Sequence, residues 1–314
     1  MGEKEVEFDQ VVSRGCGIDI HKKTVVATID GECLKRETKE YFTYTRSLIE
    51  LREWLLENQI THVAIESTGV YWKPVYNVLE GSGVTVWLVN ARHVKNVPGH
   101  KTDKKDSRWL CKLLLAGLLK PSYIPAKEQR ELRDLTRYRK KLIQQIASEK
   151  NRIIRMIEDC NIKLSCVLSD VHGVVGTKLV ELLCAKQSVS REDIDKVYHA
   201  KLQCSKDELY EACNGIFTQH NIYLLGIIKR NISNIEQSIE DLNLRVKAML
   251  SPYENALELL KGIPCLSTKT VEDLVAEIGL DMEVFPSDKT QRQKESPHSH
   301  RTLDPEVGLP HLER

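Results

Sequence analysis

The chain has 314 residues, with 46 Lys and Arg against 45 Asp and Glu and a net charge of +1. That balance excludes a polycation that holds nucleic acid by net charge alone, so any such partner must be met by local patches. Nine scattered cysteines with no CxxC pair exclude a zinc ribbon or a CxxC redox motif.

The odd cysteine count and the polar, acidic start MGEKEVEFDQ, unlike a signal peptide, point to a reducing cytoplasm. No apolar stretch is long enough to span a bilayer. The longest, Trp109 to Leu119, is interrupted by Lys112. A membrane is therefore not among the expected partners.

The predicted elements begin with two short β-branched runs, Cys16–Ile20 and Thr24–Ile29, separated by His21-Lys22-Lys23. Asp30-Gly31 is a hairpin signal, and a third strand follows over Cys33–Phe42. Leu48, Leu51, Trp54 and Leu55 recur at helical spacing, which predicts a helix over 46–57. Strand His62–Glu66, helix Trp72–Glu80, turn Gly81-Ser82-Gly83, strand Val84–Val89 and helix Asp106–Leu119 come next. Three strands in a meander followed by alternating helix and strand is the order of a ribonuclease-H-like α/β domain, placed over 12–125.

From 126 the pattern is helical. Residues 126–160 carry Leu132, Leu135, Leu142, Ile146, Ile153 and Ile157 among many basic residues, and 164–220 break into short helices. Over 223–250, Leu225, Ile228, Ile232, Ile235, Ile239, Leu242, Val246 and Met249 form a seam at heptad period. That coiled-coil region, 126–250, implies a homo-oligomer through 223–250 or an antiparallel hairpin with 126–160. A partial C-terminal helical domain is placed at 251–287. It includes a helix over Thr268–Ile278 that ends at Gly279. Residues 288–314 lack periodicity and aromatics and are expected to be disordered.

The chemistry is expected from four acids: Asp19 in GIDIHK, Glu66 in AIESTG, and Asp103 and Asp106 in KTDKKDS. An Asp within an apolar strand costs several kcal/mol to bury unless paired or metal-bound. Glu66 closes a strand, where open α/β sheets place their sites. Asp103 and Asp106 share one face of a helix start. Carboxylates drawn from separate elements suit a divalent metal, and two metals can clamp the attacking and leaving oxygens of a phosphodiester. Each acid alone has a bland alternative, a solvated strand end or an N-cap.

The phrases GIDIHK, AIESTGVYW, LVNARHVKNVPGHKTDKKDS and LCKLLLAGLL resemble the N-terminal domain of the DEDD insertion-sequence transposases. These are RuvC-like recombinases with Piv-type invertases among their relatives. The resemblance covers 12–165, the coiled coil loosely, and 255–287. It implies that Asp19, Glu66, Asp103 and Asp106 bind Mg²⁺ or Mn²⁺, that DNA is the substrate, and that a structured guide RNA is a partner. The family's C-terminal serine nucleophile has no counterpart, because the match stops at Phe285-Pro286-Ser287. Ser287, Ser296 and Ser299 lie outside the matching context. The abrupt change resembles a truncation or frameshift and points to a degenerate recombinase. Alternatives are an inactive nucleic-acid-binding remnant and a metal-dependent junction endonuclease.

Arg92, Lys95, Lys101, Lys104 and Lys105 crowd the acidic pair and would neutralise incoming phosphates, or form a solvated loop that offsets the acids. Over 127–155, Arg130, Arg133, Arg137, Arg139, Lys140, Lys141, Arg152 and Arg155 form a basic stripe that would track a nucleic-acid backbone, or be only a solvated face. Tyr71 and Trp72 read as core aromatics, with base stacking the alternative. His21 would assist the acids or cap a turn. Leu260–Gly279 resembles a helix-hairpin-helix, but Cys265 and Ser267 stand where that pattern has glycines. Such a hairpin either takes a phosphate or only packs.

Overall fold

The structure, a computed structural model, describes residues 11–66, 69–90 and 106–281. The chain divides into two compact units, the first ending at Ile124 and the second beginning at Pro125.

The first unit is built on strands β1 (Arg14–Ile20), β2 (Thr24–Gly31) and β3 (Leu34–Phe42). These antiparallel strands form the meander expected from their β-branched runs. The turn between β2 and β3 falls at Glu32-Cys33, two residues later than Asp30-Gly31 predicted. Gly31 stays in the ladder beside a register shift, and Cys33 takes the left-handed position at φ 57°. The Asp30 carboxylate accepts bonds from Gly31 N and Arg36 Nε, which keeps this residue in the strand.

Next come helix α1 (Thr45–Glu57), strand β4 (His62–Glu66), helix α2 (Trp72–Leu79) and strand β5 (Thr85–Val89). Helix α3 spans Asp106–Leu115, and the two-residue strand β6 is Pro121–Ser122. Helix α3 ends four residues before the predicted boundary, because Gly117 adopts φ 67° and the Leu118 N–H closes back on the Leu113 carbonyl. Strand order is β3-β2-β1-β4-β5-β6, with β4 parallel to β1 and β5 parallel to β4. This is the ribonuclease-H-like arrangement.

Period-two alternation decides what covers each face. Cys16, Ile18 and Ile20 point to the side covered by Leu48, Leu51 and Leu55 of α1 and Val75 and Leu79 of α2. Ala64 and Val89 face the other side, under Leu110, Leu113 and Leu114 of α3.

The second unit is helical. Helices α4 (Lys127–Asp159) and α9 (Gln219–Leu250) run antiparallel. Leu132 clusters with Val246 and Leu250, Leu142 with Ile235 and Ile239, and Ile153 with Leu225 and Ile228. The heptad seam of 223–250 is therefore covered by α4 of the same chain. That removes the exposed seam from which a homo-oligomer was expected, and the hairpin alternative describes these residues. Buried in α4, Glu149 leaves its Oε2 without a hydrogen-bond partner among the described residues, while Arg152 approaches Oε1 at 3.3 Å.

Between these helices lie α5 (Leu164–Val167), α6 (Val174–Lys186), α7 (Arg191–Val197) and α8 (Lys206–Ala212). Ser190 and Ser205 start α7 and α8 with capping boxes. After α9, α10 (Glu254–Lys261) and α11 (Thr268–Ile278) form a helical hairpin. Among the described residues no helix is long and apolar enough to cross a membrane. The tail at 288–314 and the segment around Phe285-Pro286-Ser287 lie outside the described residues, as do Ser296 and Ser299.

Candidate active site

Two acids are brought together by strand register. On the parallel pair β1 and β4, Gly17 lies opposite Ala64 and Ile18 opposite Ile65. One step further, Asp19 stands beside Glu66, and the alternation that buries Ile18 and Ile65 on the far side turns both acids to the α3 face. Neighbouring strands lie about 5 Å apart, so both acids project from adjacent positions at the carboxyl ends of parallel strands.

Helix α3 reaches that locus because Gly15, Gly17 and Ala64 carry little or no side chain on its face. A Cβ on Gly17 would overlap the Ser107 carbonyl oxygen and the Cys111 nitrogen, and one on Gly15 would meet Leu114 Cδ2 at 3.0 Å. Moving from Gly15 to Gly17 thus steps from Leu114 back to Ser107, towards the start of the helix. The first residue of α3, Asp106, therefore sits at the end nearest Asp19 and Glu66. The Gly-x-Gly-x-Asp period of residues 15–19 was the available sequence signal for this close approach.

His21 Nε2 lies 3.1 Å from Asp19 Oδ2, so the metal-assisting or turn role expected of it resolves into a direct contact with the acid. Among the described residues no group of three or more His, Cys, Asp or Glu side chains is gathered tightly enough to hold a metal ion. Asp103 lies outside the described residues. The structure thus sets Asp19 beside Glu66 and places Asp106 at the end of α3 nearer to them, and among the described residues three acids do not close into a cage.

Hydroxyls that the sequence reading missed anchor the start of α3. Thr28 Oγ1, on β2 opposite Gly17, lies 2.8 Å from Ser107 Oγ and 2.9 Å from Thr38 Oγ1. Arg108 Nε donates to Thr38 Oγ1 at 3.3 Å. Cys111 donates its thiol to the Gly15 carbonyl at 3.4 Å, and burial pushes that thiol up to about 12. It stays protonated at neutral pH and is no nucleophile.

Of the expected phosphate-binding cations, Arg92, Lys95, Lys101, Lys104 and Lys105 lie outside the described residues. The stripe on α4 is divided. Arg133 donates to the Ala276 and Glu277 carbonyls at the end of α11, and Arg137 makes a two-pronged bond to the Glu277 carboxylate at 2.7 Å. This guanidinium holds the Glu277 carboxyl below the ordinary glutamate range. Arg139 is 2% exposed and bonds Glu272, Asp273 and Asn243. These three arginines bond α11, and burial removes Arg139 from any exposed stripe that tracks a nucleic-acid backbone. Arg130 donates to the Pro125 carbonyl, while Lys140 and Lys141 are exposed. Trp72 packs on the sheet core, edge-on to Tyr76 at 5.8 Å, and is a core aromatic as read; Tyr71 is exposed.

In the hairpin of α10 and α11, Cys265 takes φ 70°, the left-handed conformation that glycine adopts without steric cost. Ser267 has a use of its own, capping α11 through the Thr270 N–H at 3.2 Å. Cys265→Gly should therefore be neutral or stabilising by up to about 1 kcal/mol, because relief at this position opposes the extra freedom of glycine in the unfolded chain. Cys265→Val should lower stability instead, and urea unfolding curves of the two variants check the sign.

Residues 16–162 match a family model of the DEDD type, described as a transposase. No curated protein matches. A solved structure of RuvC from T. thermophilus, in complex with a Holliday junction substrate, aligns at 13% identity over 35% of this chain and 99% of that chain, with a TM-score of 0.28. The matched span contains Asp19, Glu66, Asp103 and Asp106, together with the whole described sheet from β1's Cys16 onward. By that match, residues 16–162 are similar to the DEDD transposases.

Proposed function

We propose that the chain acts on DNA phosphodiesters and that its α/β unit takes a divalent cation at Asp19 and Glu66, with Asp106 at the start of the approaching helix and Asp103, three residues earlier in the sequence, as further ligands. The observation that carries this is the register of β1 and β4, which sets two carboxylates side by side on the face that α3 approaches by its N-terminal end. The donor set fits Mg²⁺ or Mn²⁺. These ions take hard oxygen ligands, and Mg²⁺ keeps several waters while bound through one or two carboxylates and a substrate phosphate. When bound, such an ion polarises the scissile phosphate and lowers the pKa of an attacking water.

The chain's own residues do the rest. Asp19 and Glu66 supply negative oxygen at one point, and His21 fixes one oxygen of Asp19 from outside the sheet. The N-terminus of α3 adds a positive dipole end that favours anions. Lys140 and Lys141 are left to attract the nucleic-acid backbone along α4, because Arg133, Arg137 and Arg139 are engaged within the second unit. Cations 92–105 would serve the site itself, and a structured guide RNA is a further partner in this reading.

Calorimetric titration of the chain with Mn²⁺ tests the metal, and Mg²⁺-dependent nicking of DNA tests the reaction. Asp19→Asn and Glu66→Gln should each lower nicking by about 100-fold or more, several kcal/mol of transition-state stabilisation, with far-ultraviolet circular dichroism unchanged. Absence of Mn²⁺ binding by the unaltered chain would refute the metal reading. Mn²⁺ and DNA binding without nicking would mark an inactive remnant.

A further inference from the structure

Helix α3 carries Asp106 but makes its closest approach to the sheet through a backbone that glycine has left bare. Bare backbone against bare backbone sets the height of the helix, yet leaves it free to slide along β1 and to roll. Something must fix the remaining two freedoms if Asp106 is to meet Asp19 and Glu66. Thr28 and Ser107 are both buried, 0% and 2% exposed, and they face each other at 2.8 Å across the gap between β2 and the first turn of the helix. Thr28 lies opposite Gly17 in the ladder, directly beneath this crossing point. Its hydroxyl also reaches Thr38 on β3, which Arg108 reaches from the helix, so the first turn of α3 is tied to two strands through consecutive residues.

We propose that Thr28 and Ser107 are positioning residues: their buried hydroxyl pair locks the first turn of α3 onto β2 and so sets Asp106 against the Asp19–Glu66 pair. The inference rests on the metal reading above, and goes beyond it by assigning the alignment of the helix-borne acid to a strand residue outside the acidic motif. A hydroxyl bond is suited to the task. It is directional, unlike the apolar contacts of Leu110, Leu113 and Leu114, which tolerate a slide along the groove. Removing the Thr28 hydroxyl leaves that of Ser107 buried without this partner, while removing that of Ser107 leaves Thr28 bonded to Thr38 alone, so either defect is felt locally at the start of the helix.

The test compares Mn²⁺ affinity by calorimetry with amide hydrogen exchange over 107–111, on the full chain. Thr28→Val is nearly isosteric and removes only the hydroxyl. Thr28→Ser keeps the hydroxyl and drops the methyl. Ser107→Ala breaks the same bond from the helix side. Thr28→Val and Ser107→Ala should each weaken Mn²⁺ binding by about 10-fold, the lower end for outer-shell partners of a metal site. Exchange over the first turn of α3 should quicken in both.

Thr28→Ser should bind as the unaltered chain does, and the double variant Thr28→Val/Ser107→Ala should bind no worse than either single one, since the bond is already gone. Should Thr28→Val misfold, Ser107→Ala carries the comparison with Thr28→Ser alone. Unchanged Mn²⁺ affinity in Ser107→Ala, with the unaltered chain binding normally, overturns the positioning role and leaves the metal reading standing. No Mn²⁺ binding by the unaltered chain overturns both, and quickened exchange in Ser107→Ala would then mark a purely structural bond.

Discussion

Replacing Gly17 by alanine will drive α3 away from the sheet and lower the stability of the first unit by about 3 kcal/mol, the upper part of the range for overpacking. The size follows from what the new methyl would meet. It would overlap the Ser107 carbonyl oxygen and the Cys111 nitrogen, both backbone atoms of a helix, so no flexible side-chain tip can swing aside. Gly15 makes a useful contrast, because its nearest neighbours are the side-chain ends of Leu114 and Leu115. Gly15→Ala should therefore cost clearly less. Urea unfolding of both variants, followed by tryptophan fluorescence, gives the comparison. Equal losses would show that α3 yields as readily at its start as at its end, and that the Gly17 contact does not fix its docking. Whatever fraction of Gly17→Ala still folds should bind Mn²⁺ poorly, since the displaced helix carries Asp106 with it.

The second large effect is expected at Arg139. Its guanidinium is almost wholly buried between α4 and α11, where it meets Glu272 and Asp273, and Asn243 of α9 as well. Removing one partner of a buried ion pair costs about 3–5 kcal/mol, because the opposite charges are left uncompensated. Arg139→Ala should fall at the low end of that range, about 3 kcal/mol, since Asp273 is half exposed and water can take over part of its solvation. Thermal unfolding and limited proteolysis of 254–281 would register it as loss of the α10–α11 hairpin from α4. If Arg139 instead contacted a nucleic-acid backbone, its removal would leave unfolding unchanged and reduce the salt dependence of binding.

Arg139 also shows where a sequence reading stops. In one dimension it is another cation in a basic run, equivalent to Lys140 beside it. Only the rotation of α4 against α9 and α11 turns Arg139 inward and Lys140 outward, and the acids that receive it stand more than a hundred residues further on. The heptad seam had the same ambiguity. Its spacing demands an apolar partner but carries no information on whether that partner is α4 of the same chain or another copy. Turn chemistry misled at Asp30-Gly31, where the pair satisfied the usual hairpin rule while the Asp30 side chain bonded locally and moved the turn to Glu32-Cys33.

Local patterning was nonetheless sufficient for much of the frame. Strand His62–Glu66 and helix Thr268–Ile278 fall where apolar alternation and spacing placed them, because a strand or helix with one buried face must repeat at its own period. The order of those elements determined the ribonuclease-H-like sheet, and the acidic phrases carried the likeness to the DEDD transposases that residues 16–162 match. Tertiary structure alone decided that Asp19 and Glu66 are neighbours, since register between distant strands is a property of the sheet. It alone decided that two glycines admit α3, that Thr28 meets Ser107, and that three arginines of the stripe bond α11. Each of these depends on contacts between residues far apart in the chain, whose geometry no local propensity contains.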